Sequence, residues 1–254
     1  MQKSFKFAVT VGRNENADLE KIAQIWAEKF NVKYVERGSK GSLKFLLDQE
    51  QVDALLVATN QGPQVYSASG TFFFHPSMAV LRAQRLKKYE PDHFVAALEL
   101  KPGMKVLDCT MGLASDAIVA SFITGAEGVV CAVEASPLLH FVVSEGLKNY
   151  QAEDIDLNSA MRRITTVCAE AETYLAALPA DSFDVVYFDP MFRIPVNGSS
   201  NMEPLRPLAW EKALTAEMVE AALRAAPCVV IKERGQKLLE AFGCTEIVGG
   251  RYSR

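Results

Sequence analysis

The sequence predicts an α/β protein in which a doubly wound, mostly parallel sheet follows a small N-terminal α/β domain. Of its 254 residues, 49% are hydrophobic and 23% are charged, which is ordinary for a soluble globular protein. From Met104 onward, short apolar runs alternate with helical patterns, as expected for parallel strands covered by helices on both faces. Residues 1–70 show the same alternation on a smaller scale, and the length allows a second domain.

The N-terminal domain is predicted to contain three strands and two helices. Apolar residues between Ala17 and Phe30 recur at the spacing of one helix face, and a second helix is expected to begin at Ser42. The predicted strands are 5–11, 32–35 and 52–58. Gly62-Pro63 predicts a turn after the last of them.

Residues 71–103 are predicted to form a helical connection. His75-Pro76-Ser77 precedes a helix that extends to about Tyr89, and Pro76 suits its first turn. His75 and Ser77 could line a ligand pocket or simply cap this helix. The helix also carries a basic run, interpreted either as a contact for RNA phosphates or as a solvated face: Arg82, Arg85, Lys87 and Lys88.

The third region, 104–254, is predicted to form the parallel sheet. Its strands are expected at 105–109, 128–133, 164–167, 183–188, 228–232 and 245–248. Ligands of such sheets bind at the carboxyl ends of the strands. An irregular stretch from Arg193 to about Pro207 follows the fourth strand, and a loop of that length is usually functional or disordered.

The first motif is Val-Leu-Asp-Cys-Thr-Met-Gly-Leu-Ala-Ser-Asp-Ala, in which a strand ends at Asp108 and the chain turns at Gly112. Glu134 ends the next strand, 22 residues after Gly112, where an acid can hold ribose hydroxyls. Thr110 and Ala114 stand where the dinucleotide fingerprint has its outer glycines. This disfavours a pyrophosphate ligand and leaves room for S-adenosylmethionine. The alternative is an ordinary βαβ unit with a glycine turn.

The second motif, Asp189-Pro190-Met191-Phe192, directly follows the strand 183–188. The Asp189 carboxylate and the Pro190 carbonyl can each accept a hydrogen bond from an amino group, and Phe192 can stack on a flat base. Such an arrangement would orient a weakly nucleophilic amine toward a methyl donor. The alternative is a turn in which the aspartate caps a helix.

Together the motifs resemble those of the RsmJ-like S-adenosylmethionine-dependent methyltransferases, over about residues 70–235. Val229-Val230-Ile231-Lys232 is similar to the family's fifth-strand pattern. Members of that family methylate the 2-amino group of a guanine in small-subunit ribosomal RNA. The resemblance implies a Rossmann-like class I methyltransferase fold, S-adenosyl-L-methionine as cofactor, and ribosomal RNA or the small ribosomal subunit as partner.

The resemblance also implies roles for individual residues. Asp189 and the Pro190 carbonyl are the expected catalytic groups. Cofactor binding is expected at Asp108, Thr110, Gly112, Leu113, Ser115, Asp116, Glu134, Ala135, Glu170 and Ala171, with His75 and Ser77 as further candidates. Substrate binding is expected at Met191, Phe192, Arg193 and Arg206.

Three features depart from the family pattern. Ser115 stands where the family usually has arginine, and Glu170-Ala171 where it has small hydroxyl residues. Residues 1–70 do not obviously match the family's N-terminal region, which bears on the choice of RNA target. A class I methyltransferase sheet normally finishes with a seventh, antiparallel strand, for which the chain after Val248 offers little length.

Charge and composition limit the other possibilities. The net charge is −4, with 13 basic and 11 acidic side chains in residues 1–100 and 14 and 20 in the remainder, so the chain is not expected to bind nucleic acid non-specifically. No apolar run reaches membrane-spanning length, and no signal peptide is evident, which predicts a cytoplasmic protein. The five cysteines fit no zinc pattern, and they are interpreted as small buried hydrophobic residues in a protein without a metal.

Two alternative functions remain open at this point. One is a methyltransferase for a small-molecule or protein amine, which the acidic composition favours. The other is a non-catalytic module that binds the cofactor or RNA, in which Asp189 would be idle. The oligomeric state is not predicted.

Overall fold

The computed structural model describes residues 5–13, 17–38, 41–190, 212–233 and 235–246. The chain divides into two compact units: the first extends to Phe74 and the second begins at His75. The helices expected between residues 71 and 103 therefore belong to the second unit. Among the described residues, no helix has both the length and the apolar character needed to cross a membrane.

The first unit is a four-stranded sheet with one helix against each face. Its elements are β1 (Phe7–Val11), α1 (Ala17–Phe30), α2 (Leu43–Glu50), β2 (Ala54–Thr59), β3 (Gly62–Ser67) and β4 (Gly70–Phe73). The strand order is β1-β2-β3-β4. Strands β1 and β2 are parallel, whereas β2–β3 and β3–β4 are antiparallel.

Alternation along β1 places the two helices on opposite faces. The Phe7 ring meets the Phe30 ring of α1 with centroids 5.4 Å apart, whereas Ala8 packs with Leu46 and Leu47 of α2. Helix α2 begins where Ser42 Oγ accepts a hydrogen bond from the backbone N–H of Phe45, as an N-cap serine should.

Two predictions in this unit were wrong. Residues 32–35 do not form a strand and make only an isolated bridge between Tyr34 and Val9. Gly62-Pro63 does not form the turn but starts β3, and the two-residue turn lies just before it. Gly62 has φ +103°, which only glycine adopts readily at the exit of a tight turn.

Within its described residues, the second unit contains five parallel strands in the order β7-β6-β5-β8-β9. The strands are β5 (Lys105–Asp108), β6 (Val129–Glu134), β7 (Thr165–Cys168), β8 (Val185–Phe188) and β9 (Cys228–Ile231). The helices are α3 (Ser77–Lys87), α4 (His93–Ala97), α5 (Ser115–Thr124), α6 (Pro137–Asn149), α7 (Ile155–Arg163), α8 (Ala171–Ala177), α9 (Ala216–Ala225) and α10 (Gln236–Ala241). This order confirms the predicted doubly wound, Rossmann-like fold.

The strand order creates a switch point between β5 and β8. The chain moves outward from β5 through β6 to β7, and then returns to the other side of β5 to form β8. Leu107 of β5 and Val186 of β8 are fully buried neighbours in this centre. A crevice therefore opens beyond the carboxyl ends of β5 and β8, where ligands of open α/β sheets bind.

Predictions for the sheet margins were less accurate. Thr245 and Glu246 are not in a strand, and the rest of the predicted sixth strand lies outside the described residues. Cys109 and Cys131 are buried as expected, but Cys168 and Cys228 are exposed. Both exposed thiols lie at an end of an edge strand, where less of the sheet covers them.

Candidate active site

The loop after β5 is tied to both neighbouring strands. On one side, Cys109 N–H donates to the Tyr187 carbonyl of β8 at 2.9 Å, and on the other, Met111 N–H donates to the Val133 carbonyl of β6 at 2.9 Å. Thr110 Oγ1 accepts a hydrogen bond from the backbone N–H of Asp189 at 2.7 Å. The first and second sequence motifs are therefore joined directly at the switch point.

Gly112 turns this loop toward α5. Its φ of +48° lies in the left-handed region, and a Cβ there would meet no heavy atom closer than 3.8 Å, so space remains beside its backbone. Ala114, the N-cap of α5, also has positive φ and provides no side-chain cap. The first N–H groups of α5, which starts at Ser115, thus begin without a side-chain acceptor from the N-cap.

Glu134 connects the loop to the end of β6. It is only 8% exposed, and its two oxygens accept hydrogen bonds from the N–H of Gly112 at 3.2 Å and of Ser136 at 2.9 Å. Burial raises the pKa of Glu134, and these backbone hydrogen bonds oppose that rise. Each oxygen retains a further lone pair for a ligand hydroxyl, and Ala135 lies next to it in the chain.

Asp108 is a buried acid at the end of β5. It is 2% exposed, and burial raises its pKa to about 8, with Asp116 and Asp189 adding repulsion. Its Oδ1 accepts the N–H of Thr110 at 2.9 Å and lies 3.3 Å from Thr110 Oγ1. A continuous hydrogen-bond chain thus runs from Asp189 through Thr110 to Asp108.

The Asp189 carboxylate is paired with a lysine from the neighbouring strand. Lys232, which directly follows β9, places Nζ 2.6 Å from Asp189 Oδ2 and 3.8 Å from Asp116 Oδ2. Burial raises the pKa of Asp189, whereas the charge and hydrogen bond of Lys232 lower it. The lysine therefore favours the ionised form of a carboxyl group whose pKa burial raises.

A second set of charges lies behind this pair. Asp116 accepts a hydrogen bond from the Tyr187 hydroxyl at 3.0 Å and is paired with Arg82 of α3. Arg82 also binds both oxygens of Asp92 at 2.7 and 2.9 Å. The prediction that Arg82 contacts RNA or lies on a solvated face was wrong, because its guanidinium is only 16% exposed and engages two carboxylates.

Other predicted residues lie at the edge of this arrangement or outside it. Glu170 and Ala171 follow β7, and the exposed Glu170 carboxylate is paired with Lys212 at 3.1 Å. The His75 ring is 3.0 Å from the Tyr150 hydroxyl. Ser77 begins α3, but its side chain is not described. Leu113 lies in the turn before α5. Four predicted substrate residues lie outside the described residues: Met191, Phe192, Arg193 and Arg206.

The sequence analysis did not assign a role to Tyr187 or Asp92. A polar hydroxyl near the end of the buried strand β8 was a signal for Tyr187, because such a group needs a partner. Asp92 offered only the signal of an N-cap, which it also is, since its Oδ1 accepts the N–H groups of Phe94 and Val95.

The donor set fits S-adenosylmethionine. Asp92, Asp116 and Asp189 carry three negative charges against the two positive charges of Arg82 and Lys232, which suits a sulfonium cation better than a pyrophosphate. Glu134 offers a carboxylate for ribose hydroxyls. Among the described residues, no group of three or more His, Cys, Asp or Glu side chains is arranged to hold a metal ion.

Comparison with known proteins also identifies a methyltransferase family. The family model SAM_MT, of S-adenosylmethionine-dependent methyltransferases, matches residues 39–241. The chain is 37% identical over 88% of its length, and 87% of the relative's, to the uncharacterized protein YpiP of Bacillus subtilis.

Several relatives carry the name ribosomal RNA small subunit methyltransferase J. The one from Dechloromonas aromatica is 30% identical over 58% of this chain, and the one from Rhodopseudomonas palustris strain HaA2 is 33% identical over 51%. The matches span 60% and 59% of those relatives. A solved S-adenosylmethionine-dependent methyltransferase from Aquifex aeolicus is 19% identical with a TM-score of 0.38, covering 63% of this chain and 73% of its own.

The family match and the strand order confirm the predicted fold class, and the family establishes the cofactor. The strand-end carboxylates of Asp108, Glu134 and Asp189 lie around the crevice where that cofactor is expected. The chain belongs to the S-adenosyl-L-methionine-dependent methyltransferase family.

Proposed function

We propose that this protein methylates an exocyclic amine, the 2-amino group of a guanine in small-subunit ribosomal RNA. The observation that carries the proposal is the position of Asp189 at the switch point beside the cofactor loop, where Lys232 binds its carboxylate and Thr110 Oγ1 accepts its backbone N–H. Asp189 and Pro190 are the catalytic groups in this proposal, and the cofactor residues are those at the ends of β5 and β6.

Asp189 and Pro190 supply two acceptors for one amino group. Lys232 binds Oδ2 of Asp189, so we assign the other carboxylate oxygen and the Pro190 carbonyl oxygen to the two N–H groups of the amine. A guanine amino group is a weak nucleophile, because its lone pair is delocalised into the ring. Two fixed acceptors would direct that lone pair away from the ring plane, and this positioning supplies much of the rate.

S-adenosylmethionine supplies an electrophilic methyl group on a sulfonium. The amine nitrogen would take that methyl as its bond to sulfur breaks and S-adenosylhomocysteine leaves, and it would lose one proton to Asp189 or to water. The charge of Lys232 lowers the pKa of Asp189 against the effect of burial and so favours the carboxylate, whose oxygens accept hydrogen bonds. Phe192 would stack on the base, while Met191, Arg193 and Arg206 would contact the substrate around it.

The RNA substrate is inferred from the relatives named as ribosomal RNA small subunit methyltransferase J, whose matches cover 58% and 51% of this chain. A guanine within a helix would have to leave the base stack to reach Asp189. Because the chain is acidic overall, we expect positive side chains near the site, and not the protein surface as a whole, to bind the RNA phosphate backbone.

The test is transfer of labelled methyl from S-adenosylmethionine to ribosomal RNA and to intact small subunits from cells that lack the protein, with an RNA-free control. Wild type is compared with Asp189→Asn, which keeps the shape of the side chain but removes its charge. We expect label in RNA, recovered as N2-methylguanosine after digestion. We expect a loss of about 10²–10³-fold in the variant, typical when one stabilising group of an active site is removed.

The matched control is Asp181→Asn, which removes an exposed carboxylate from the same unit and should methylate as wild type does. Binding of S-adenosylhomocysteine by both variants, measured by calorimetry, separates loss of chemistry from loss of the fold. Absence of label in any RNA, with cofactor binding intact, would refute the ribosomal substrate. Label in a modified nucleoside other than N2-methylguanosine would refute the guanine 2-amino group as the acceptor.

A further inference from the structure

Lys232 lies between two carboxylates. Its Nζ is 2.6 Å from Oδ2 of Asp189 and 3.8 Å from Oδ2 of Asp116. The backbone of Lys232 is fixed, because its N–H donates to the Phe188 carbonyl of β8 at 2.8 Å. The side chain of a lysine is a flexible stem with a compact charge at its end, so a small rotation of that stem would exchange one carboxylate for the other.

The hydroxyl of Tyr187 binds the carboxylate that competes with Asp189. It donates to Asp116 Oδ2 at 3.0 Å, the same oxygen that lies 3.8 Å from Lys232. Burial and the neighbouring acids raise the pKa of Tyr187 above its usual range, so the hydroxyl keeps its proton and remains a donor. Arg82 binds Oδ1 of Asp116. Each oxygen of Asp116 therefore has a hydrogen-bond donor other than Lys232.

Packing fixes the direction of the Tyr187 hydroxyl. The residue is 2% exposed, and its ring meets the Phe94 ring of α4 edge to face, with centroids 4.9 Å apart. In the sheet, Tyr187 of β8 is paired with Val230 of β9, two residues before Lys232. The hydroxyl and the lysine are thus held by neighbouring strands, and both reach Asp116 of α5.

We propose that Tyr187 is a positioning residue, whose hydroxyl satisfies Asp116 and thereby leaves Lys232 paired with Asp189. Without that hydroxyl, Oδ2 of Asp116 would attract the ammonium group of Lys232 more strongly. Asp189 would then lose part of the positive charge that favours its ionised form. That this pairing serves methyl transfer rests on the proposed function.

Among the described residues, the charged groups that face Asp189 come from three parts of the fold. Asp108 ends β5, Asp116 lies in α5, and Lys232 and Glu233 follow β9. Behind Asp116 lies the guanidinium of Arg82. Within this group Lys232 is the cation that contacts the Asp189 carboxylate, so its position should dominate any change in the pKa of Asp189.

The first arm of the test measures that pKa in the full-length protein from the carboxyl ¹³C signal of Asp189, which is assigned by its loss in Asp189→Asn. Tyr187→Phe removes the hydroxyl and keeps the ring. We expect the pKa of Asp189 to rise by about half a unit or more, because an opposite charge nearby lowers a carboxyl pKa by about 1–3 units and this effect is partly lost. Tyr174→Phe, the matched control, removes a hydroxyl 3.4 Å from Cys131 Sγ and should leave the pKa unchanged.

The second arm repeats the titration in the Lys232→Met background. A residue that acts through Lys232 has no further effect once the lysine is gone, so Tyr187→Phe should not shift the pKa of Asp189 there. An unchanged pKa of Asp189 in Tyr187→Phe alone would overturn the proposal. Equal shifts with and without Lys232 would overturn it as well, because a general disturbance of the strand would act in both backgrounds.

The third arm measures methyl transfer to small-subunit ribosomal RNA across pH. The acid limb of kcat/KM reports the ionisation of the free enzyme, so in Tyr187→Phe it should move to higher pH by as much as the pKa of Asp189. A shifted pKa with an unshifted profile would refute the role in transfer. If the wild type methylates no RNA, the proposed function fails, whereas the two NMR arms still decide whether Tyr187 positions Lys232.

Discussion

Replacing Asp108 by asparagine should flatten the dependence of stability on pH. In the folded protein this carboxyl group has a pKa of about 8 because it is buried, whereas an unfolded aspartate has a pKa of about 3.9. Between these values the folded state binds one more proton than the unfolded state. The contribution of Asp108 to the free energy of unfolding is therefore greatest at low pH, and it falls as the pH rises toward 8.

The size of the effect follows from that window. One proton corresponds to a change of about 1.36 kcal/mol in the free energy of unfolding per pH unit. Between about pH 5.5 and 7.5, the free energy of unfolding should therefore fall by about 2.5 kcal/mol more in the wild type than in the variant. Asparagine keeps an oxygen to accept the Thr110 N–H and cannot ionise. Other titrating groups are common to both proteins and cancel in the difference between their curves.

The assay is urea unfolding at four pH values, followed by methyl NMR signals of the buried Leu107 and Val186, which report on the second unit alone. Asp181→Asn controls for removing a carboxyl group from the same unit. The free energies of unfolding of Asp108→Asn and wild type could instead differ by the same amount, within about 0.5 kcal/mol, at every pH in this range. That result would show that Asp108 is ionised in the folded protein and would refute the linkage argument.

Three further changes test the charges around the site. Lys232→Met should raise the pKa of Asp189 and move the acid limb of the pH–rate profile to higher pH by about one unit or more; an unshifted profile would refute the pairing. Glu134→Gln should weaken binding of S-adenosylhomocysteine in calorimetry by about tenfold or more, since charged hydrogen bonds contribute about 1.5–3 kcal/mol; wild-type affinity would count against the ribose role. Arg82→Met should lower the free energy of unfolding in urea by about 3–5 kcal/mol because Asp92 and Asp116 lose the guanidinium that pairs with both, whereas the exposed Arg85→Met should cost less than about 1 kcal/mol; equal losses would contradict the burial argument.

Strand ends were the part of the site that sequence could locate. Asp108, Glu134 and Asp189 each close a short apolar run, and parallel strands bring their carboxyl ends to one edge, so their proximity followed from pattern alone. The placement of β5 next to β8 was not predicted, because alternation alone does not fix where a doubly wound sheet reverses direction.

Pairings between distant elements could not be predicted in this way. Arg82 reaches Asp116 only because α3 packs beside α5, and the helical pattern around Arg82 does not reveal which face is covered. The raised pKa of Asp108 depends on burial from all sides, which no local pattern encodes. The β3–β4 hairpin was missed because Gly62-Pro63 is typical of turns. In the structure, buried Val65 and Ser67 alternate with half-buried neighbours, as in a strand.

The loop after β5 also determines how this enzyme can change over generations. Its contacts with the Val133 carbonyl on one side and with Tyr187 and Asp189 on the other mean that the residues proposed to bind the cofactor and those proposed for catalysis share one set of hydrogen bonds. Substitutions in the two halves should consequently be non-additive, with the Thr110 and Asp108 positions showing the strongest epistasis. A recombination event that changes the methyl acceptor would then have to transfer the ends of β5 and β8 together. A crossover between these two segments would disrupt the hydrogen bonds that join them.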